Sequence, residues 1–335
     1  MKMKKAAALI GAAIMTLSLT ACGASGQTES GSGETNTAAS GGDTVYTVGI
    51  CQLVQHEALD SATEGFKAAL TEALGEQVVF DEQNASNDSA TCATIVNQFV
   101  SNGVDLIMAN ATPALQAAVA STADIPIVAT SVTDYATALD ISDWTGTTGI
   151  NVTGTADLAP LKDQAAMVTE LVPDAKKVGI LYCSAEPNSK YQATIVTQEL
   201  EALGLEVTEY TSADSNDVAL VTQTAVEECD VIYIPTDNTM ASSVEIVNSV
   251  AEPAGIPIIA GEEGICRGCG VATLSIDYYS IGYNAGEMAA DILVNGTDPA
   301  QMEIGYASDL TKKVMTSRCE TLGIAVPEGY EAIAE

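Results

Sequence analysis

The stretch Ile125-Pro-Ile-Val-Ala129 returns as Ile256-Pro-Ile-Ile-Ala260, 131 residues further along the chain. The segments Val48-Gly-Ile50 and Val178-Gly-Ile180 are likewise 130 residues apart, and other matches follow in the same order. A repeat of this length indicates two similar domains, because solenoids are built from units of only about 20–50 residues. The sequence therefore predicts two domains that share one folding pattern.

Within each copy, short apolar runs alternate with amphipathic stretches. Val104-Asp-Leu-Ile-Met-Ala109 is a nearly continuous apolar run, which is typical of a buried strand. Between residues 57 and 74, apolar residues such as Leu59, Ala62 and Phe66 recur three and four positions apart, which indicates a helix with one buried face. Because strands alternating with helices form parallel sheets covered on both faces, we predict an α/β fold with two similar Rossmann-like lobes and a central ligand cleft.

Length and charge restrict the possible functions. The 335 residues suffice for two domains of ordinary size, and 47% of them are hydrophobic, so the chain can bury its cores. Only 12 Lys and Arg stand against 45 Asp and Glu, which gives a formal net charge of −33. Because such a charge repels phosphate groups, we expect neither nucleic-acid binding nor a basic patch on a membrane surface.

The first residues have the pattern of an export signal. Lysines within the first five residues precede an apolar run over 6–19, which is too short for a stable transmembrane helix. The run ends in Leu19-Thr-Ala-Cys-Gly23, where small residues before a cysteine are similar to a bacterial lipobox. We predict a lipoprotein signal peptide over 1–21, lipidation of Cys22 and a flexible tether over 22–44. Lipid would then anchor the chain on the extracytoplasmic face of the bacterial cell membrane; an ordinary signal peptide with an incidental cysteine is the alternative.

The expected position of a ligand follows from the topology. In open parallel sheets, ligands bind beyond the carboxyl ends of the strands, where helix N-termini also point. In both copies these positions are rich in hydroxyl, amide and carboxylate groups and contain no Lys or Arg. Helix capping favours the same residue types at the same places, so capping is the alternative role for each of them. The candidate ligand-binding residues are Gln55, His56, Asn84, Asn110, Thr112, Ser131, Thr133, Asp134, Glu186, Asn188, Ser189, Asp237, Asn238 and Glu262.

Several segments resemble a known family, the substrate-binding lipoproteins of ABC importers, tryptophan/tyrosine type. These segments are Cys51-Gln-Leu-Val-Gln-His-Glu-Ala-Leu-Asp60, Ala109-Asn-Ala-Thr-Pro113, Ser184-Ala-Glu-Pro-Asn-Ser189 and Pro235-Thr-Asp-Asn238. The resemblance extends over nearly all of residues 45–335 and implies the type I periplasmic-binding fold. It also implies a monomer that passes a small-molecule ligand to an importer permease, which is driven by a separate ATPase.

The resemblance further implies three crossovers of the chain between the lobes. It places residues 45–150 and 276–302 in the first lobe, and residues 155–272 and 303–335 in the second. A late helix over about 279–293 would then pack on the first lobe.

The same resemblance favours an amino acid as the ligand, with aromatic amino acids among those expected. An α-ammonium group needs a carboxylate, and Asp237 is favoured over Asp134 and Glu262 because it follows a buried strand at the start of a helix. Helix N-termini and hydroxyl groups can hold an α-carboxylate. The candidates for that role are Thr112, Ser131 and Thr133, or Asn188 and Ser189 on the opposite lobe. A sugar or nucleoside receptor on the same fold is the alternative.

No catalytic or cofactor motif stands out in the sequence. With a single His, a Ser–His–Asp hydrolase and a structural zinc site are disfavoured, and neither a P-loop nor a GxGxxG after a strand is present. We expect no enzyme activity, no cofactor and no metal; an exported enzyme or sensor lobe is the less favoured alternative. Cys266-Arg-Gly-Cys269, which we expect in a turn or loop, could form a disulfide, a metal clip or two free thiols.

Overall fold

The structure, a computed structural model, describes residues 44–307 and 310–334. The predicted signal peptide, Cys22 and all but the last residue of the predicted tether lie outside the described residues. None of the helices in those two ranges combines the length and the apolar character that crossing a bilayer requires.

Six strands form the first sheet. In chain order they are β1 (Tyr46–Gln52), β2 (Val78–Asn84), β3 (Leu106–Asn110), β4 (Ile127–Val132), β5 (Val152–Ala156) and, late in the chain, β11 (Gly305–Tyr306). Their order across the sheet is β11-β5-β4-β3-β1-β2, and neighbouring strands are parallel throughout. The carboxyl ends of these strands therefore meet at one edge of the sheet.

Seven strands form the second sheet. They are β6 (Lys177–Cys183), β7 (Glu206–Ser212), β8 (Val231–Ile234), β9 (Ile258–Ala260), β10 (Ala272–Ile276), β12 (Leu310–Val314) and β13 (Glu331–Ala332). Their order is β13-β12-β10-β9-β8-β6-β7, and only the pairing of β10 with β12 is antiparallel. These two sheets confirm the predicted α/β fold.

Helices cover both sheets. Those packed on the first sheet are α1 (Glu57–Leu74), α2 (Ser89–Asn102), α3 (Thr112–Ser121), α4 (Tyr135–Ala138) and α11 (Tyr278–Asn295). The others are α5 (Leu161–Leu171), α6 (Pro187–Ala202), α7 (Val218–Glu228), α8 (Asn238–Ala241), α9 (Val244–Ala254), α10 (Glu263–Cys269) and α12 (Thr316–Leu322). Helix α1 has the bounds that its apolar spacing predicts.

Both faces of each sheet are buried, and this explains why the strands are continuously apolar. On the first sheet, Val48 and Ile50 pack against α1 and α11, whereas Cys51 and Ile107 face the side covered by α2 and α3. The second sheet likewise has one core towards α5 and α6 and another towards α7, α9 and α10. Because successive strand residues point to opposite faces, each strand contributes to both cores of its sheet.

We call the first sheet with α1–α4 and α11 the first lobe, and the second sheet with its helices the second lobe. The chain passes between the sheets three times, after β5, after β10 and after β11. The pairing of β5 and β11 puts residues 152–156 and 305–306 in the first lobe. The exact lobe boundaries given by the sequence analysis stay a prediction.

The Cys266–Cys269 motif lies in helix α10, so the prediction of a turn or loop is wrong. The Glu262 carboxylate accepts hydrogen bonds from the N–H groups of Gly264 and Ile265 and caps the start of this helix. At the other end, the Arg318 guanidinium donates to four backbone carbonyl groups between Cys266 and Gly270. These two caps satisfy the ends of a helix whose glycines alone would favour a loop.

Candidate functional site

Two residues with left-handed backbone lie at the carboxyl ends of β3 and β4. Ala111, which precedes α3, has a φ of 88°, and Ser131 has a φ of 55° where the pairing of β4 with β5 shifts register. Non-glycine residues rarely adopt positive φ, and such strain clusters at functional sites. Ser131 is buried, and its hydroxyl group has no hydrogen-bond partner among the described residues.

Asp157 follows β5, where the chain first leaves the first sheet. The residue is only 3% exposed. Its Oδ2 accepts a hydrogen bond from the Tyr278 hydroxyl at 2.9 Å, whereas Oδ1 has no partner in residues 44–307 and 310–334. Burial raises the pKa of Asp157 to about 6; the hydrogen bond from Tyr278 opposes this shift in part, as does the nearby Thr133 hydroxyl, which does not meet hydrogen-bond geometry with either oxygen. A buried carboxylate with one unpaired oxygen is suited to a cationic donor.

Glu186 organises the second lobe's side of the cleft. It is buried just before α6, and its carboxylate accepts five hydrogen bonds. Four of them come from the backbone N–H and side chain of Asn238 and of Thr239, and the fifth comes from Nδ2 of Asn188, at distances of 2.7–3.2 Å. This carboxylate therefore fixes the loop after β8 against the start of α6.

A hydrogen-bonded path joins the two lobes beside Asp157. Gln192 of α6 donates to the carbonyl oxygen of Thr236 at 3.1 Å and to the hydroxyl of Thr133 in the first lobe at 3.4 Å. Asn188 donates to the same Thr236 carbonyl at 3.2 Å, and its own Oδ1 is buried without a partner in the described part of the chain.

A second set of contacts crosses from β1 and β2 to the loop after β8. His56 Nε2 lies 3.2 Å from Oδ1 of Asn238, and Asn87 donates to the hydroxyl of Thr239 at 2.9 Å. The other ring nitrogen of His56, Nδ1, is buried and has no partner within the described ranges. At the mouth of the cleft, Arg267 of the second lobe pairs with Glu57 at the start of α1. The lobes therefore touch on several sides of the central cleft.

The carboxylates of Asp237 and Glu262, two of the predicted ligand-binding residues, already accept hydrogen bonds from backbone N–H groups. Asp237 Oδ1 accepts from Met240 N at 2.8 Å, and its Oδ2 accepts from Cys183 N at 2.7 Å. Burial and the nearby Glu186 carboxylate raise the pKa of Asp237. Glu262 caps α10 with both oxygens, and burial raises its pKa to about 7.

Other predicted residues lie at the edge of the cleft or serve packing. Gln55 and Asn84 are exposed, and Asn84 accepts from Ser86 N within its own turn. Asp134 caps α4 through Thr137 N. Asn110 is buried and ties β3 to α1 by donating to the Leu59 carbonyl and the Thr63 hydroxyl. Thr112 and Ser189 are buried at the starts of α3 and α6.

The structure thus brings together some predicted residues and adds others. His56, Thr133 and Asn238 make contacts between the lobes, Glu186 holds Asn238 in place, Asn188 lines a cavity between the lobes, and Ser131 is buried at the end of β4. Asp157, Gln192 and Asn87 were not predicted. A signal for Asp157 was its position directly after a strand, but Val152-Thr-Gly-Thr-Ala156 has too few large apolar residues to be recognised as one. The ligand-binding role of each residue stays a prediction.

The part of the chain that the structure describes holds no group of three or more His, Cys, Asp or Glu side chains able to bind a metal ion. The seven described cysteines are free and buried. Burial raises the pKa of Cys266 and, to about 12, that of Cys269, so neither thiol is activated as a nucleophile.

Known proteins share this architecture. A "Tyrosine-binding protein" of Clostridioides difficile is 41% identical over 249 residues, which cover 73% of this chain and 72% of the relative. A domain from Streptococcus pneumoniae solved in complex with L-Trp has a TM-score of 0.82 at 30% identity and covers 87% of this chain and 100% of that one. The ligand-free, open structure of a Clostridium difficile substrate-binding protein with adhesive properties has a TM-score of 0.65 at 36% identity, covering 86% and 99%.

The superposition on these two structures and the contacts between the lobes both indicate a closed conformation. The chain superposes better on the L-Trp complex than on the open structure, although its sequence is closer to the open one. The hydrogen bonds from His56 and Asn87 to the second lobe are those of a closed cleft. The profile of the ABC transporter substrate binding protein family matches residues 47–335, so the chain belongs to this family of solute-binding receptors.

Proposed function

We propose that the chain is an extracytoplasmic receptor that closes its two lobes on a free aromatic α-amino acid and delivers it to an ABC importer. Two similar proteins support this ligand class, since one is a tyrosine-binding protein and another was solved with L-Trp. The cleft between the lobes offers matching chemistry.

The observation that carries the proposal is a set of buried polar atoms without partners in the described chain. Ser131 Oγ and Asp157 Oδ1 lie in the first lobe, and Asn188 Oδ1 lies in the second. An unmet buried polar group costs roughly 1–3 kcal/mol, so a ligand that bonds to these atoms stabilises the closed form. Two of the three atoms only accept hydrogen bonds, which favours a ligand with a cationic N–H donor.

Asp157 is the carboxylate that we propose for the α-ammonium group. Both oxygens of Asp237 already accept hydrogen bonds from backbone N–H groups, whereas Asp157 has one oxygen to offer. An ammonium group also favours the ionised form of Asp157 and so offsets the desolvation that raises its pKa.

The starts of α3 and α6 are the proposed site of the α-carboxylate. Neither helix has a side-chain cap on its first N–H groups. Thr112 of α3 and Pro187 of α6 line the same small cavity between the lobes, beside Asp134, whose carboxylate caps α4. The partial positive charge of two helix N-termini favours an anion there, without any Lys or Arg.

The proposal also includes a lipid anchor that holds the receptor on the membrane and docking of the receptor on an importer permease. The export signal over 1–21 and the lipobox cysteine support a lipid anchor at Cys22. Metabolic labelling with an alkyne fatty acid, followed by membrane fractionation, should mark the full chain but not its Cys22→Ala variant. Equal labelling of the full chain and the Cys22→Ala variant would refute lipid anchoring at Cys22. We propose that the receptor is a monomer and docks on an importer permease.

The ligand class is tested by calorimetry on the chain without residues 1–22. We expect L-Trp and L-Tyr to bind and a panel of pentoses, inositol and nucleosides to fail. Asp157→Asn should weaken binding about 30-fold or more, because a buried charge would lose its partner. Asp88→Asn, a change at the exposed cap of α2, is the matched control and should leave affinity unchanged. Binding of a sugar or nucleoside instead of any amino acid would refute the proposal.

A further inference from the structure

His56 is the only histidine in the chain, and it stands between the lobes at the start of α1. Its Nε2 lies 3.2 Å from Oδ1 of Asn238 in the opposite lobe. Its Nδ1 is buried, does not cap α1, and has no partner among the residues that the structure describes. The ring therefore carries one buried polar atom, at the boundary between the lobes, that no described residue satisfies.

The orientation of the Asn238 amide is fixed by Glu186. Asn238 Nδ2 lies 2.7 Å from Glu186 Oε2. The same carboxylate accepts from two backbone N–H groups, of Asn238 and Thr239, which can only donate. Glu186 is thus an acceptor in this network, so the NH₂ group of Asn238 must face it. The carbonyl oxygen of Asn238 then faces His56.

This arrangement determines which ring nitrogen carries the proton. The Asn238 carbonyl oxygen can only accept, so His56 must donate from Nε2–H. Burial lowers the pKa of His56, although the Asn238 bond and the charges of Glu186, Asp60 and Glu57 oppose the shift in part. The ring is therefore neutral near pH 7. In the neutral Nε2–H tautomer, Nδ1 has a lone pair and no hydrogen.

We propose that His56 Nδ1 accepts a hydrogen bond from an N–H or O–H group on the ring of the bound amino acid. The inference rests on the function proposed above and narrows its ligand class. Phenol and indole rings carry such a donor, whereas an unsubstituted phenyl ring does not. The receptor therefore selects tyrosine- and tryptophan-like ligands over phenylalanine.

The order of strands puts the two parts of the ligand in suitable places. Asp157 follows β5, Ser131 lies near the end of β4, and His56 follows β1, with β4 and β3 between β5 and β1. Three strand spacings separate β5 from β1 by roughly 14 Å. An amino acid with its ammonium group at Asp157 can therefore direct its ring along the sheet towards His56. Glu186 acts as a positioning residue, since it reaches the ligand only through Asn238 and His56.

Calorimetry with L-Tyr, L-Trp and L-Phe tests the proposal on the chain without residues 1–22 and without a histidine tag; residues 43–335 form one compact unit. We expect Phe to bind about ten- to a hundredfold more weakly, because it leaves a buried acceptor unmet. In His56→Phe, the Tyr-to-Phe affinity ratio should fall to about one. Asn87→Ala, which removes another bond between the lobes, should weaken all three ligands equally.

The tautomer gives an independent readout. Because the chain has one histidine, selective ¹⁵N labelling yields a single ring spectrum. We expect the neutral Nε2–H form at pH 7, with an Nδ1 resonance that moves on adding Tyr or Trp but not Phe. Glu186→Gln should lower the affinity ratio and disturb the tautomer while the fold, checked by circular dichroism, is kept.

The outcomes separate this inference from the function on which it rests. Equal affinities for the three amino acids, or a proton on Nδ1, would overturn the role of His56 and leave the amino-acid receptor intact. Failure of all three to bind would instead refute the proposed function.

Discussion

The carboxyl group of Asp157 is nearly removed from water at a crossing point between the lobes. Burial raises its pKa to about 6, from the ordinary aspartate value of about 3.9. The native state therefore holds this proton more tightly than the unfolded state between roughly pH 4 and pH 6, so stability falls as pH rises through this window. Above it, the ionised group costs the ligand-free protein about 3 kcal/mol.

Asp157→Asn removes that titration. We expect the ligand-free variant to melt at a higher temperature than the unchanged protein at pH 8, and the difference to shrink at pH 4.5, where the unchanged protein regains stability by protonation. Scanning calorimetry at a series of pH values measures this. Glu262 and Asp237 also titrate with raised pKa values, but they are present in both proteins and cancel in the comparison. A difference that does not vary with pH would show that Asp157 does not titrate in this range.

Asp157 and Asp237 also show what sequence can and cannot say about a site. Both follow strands, so topology places both at the cleft. Asp237 could be recognised because Val231-Ile-Tyr-Ile234 is an obvious buried strand. Which oxygen atoms remain available depends on contacts with distant segments, such as Cys183 for Asp237 and Tyr278 for Asp157. Tertiary packing determines such contacts, so they cannot be predicted from a residue's type and its position along the chain.

At the scale of helices and strands, prediction succeeded where one strong periodic signal exists. The bounds of α1 follow directly from apolar spacing. Prediction failed where hydrogen bonds from the side chains of capping residues stabilise a helix that its own residues do not favour. Helix α10 is the example, since Glu262 caps its start and Arg318 from a later helix caps its end. The antiparallel pairing of β10 with β12 also escaped prediction, because β12 is a half-exposed strand with two lysines.

The close packing of α1 on α11 depends on glycines. A Cβ atom at Gly282 would collide with the carbonyl oxygen of Ala62, and one at Gly65 would collide with that of Tyr279. We expect Gly282→Ala to destabilise the protein by about 1–3 kcal/mol, because backbone atoms cannot move aside and the overpacking outweighs the better helix propensity of Ala. Urea unfolding measures the change.

Asn284→Ala, on the exposed face of the same helix, is the matched control. It should be neutral or slightly stabilising, because Ala is the better helix former and no side-chain contact is lost. If Gly282→Ala were as stable as the control, the two helices would have room to separate and the tight contact would not contribute to the fold.

At the scale of the whole molecule, the closed form is held by polar contacts that each lobe contributes in part. Gln192 with Thr133, His56 with Asn238 and Asn87 with Thr239 each join the two lobes. Each is modest in isolation, since a hydrogen bond contributes roughly 0.5–1.5 kcal/mol net. A ligand that bonds to both lobes adds to this set, so binding and closure are one equilibrium, and the apparent affinity depends on the fraction of receptor able to close.

The ion pair between Arg267 and Glu57 lets this coupling be tested from outside the cleft. Both side chains are about a third to a half exposed, so solvent screening limits the pair to roughly 0–1 kcal/mol. We expect Arg267→Gln to weaken amino-acid binding only about two- to fivefold, with an effect that fades at high salt. Lys67→Gln breaks the Lys67–Glu82 pair, which is similarly exposed but lies within the first lobe, and should leave affinity unchanged. If Lys67→Gln weakened binding as much as Arg267→Gln, the loss would reflect the change in net charge and not an effect on closure. A loss for Arg267→Gln that does not depend on salt would instead indicate lost packing of the Arg267 side chain.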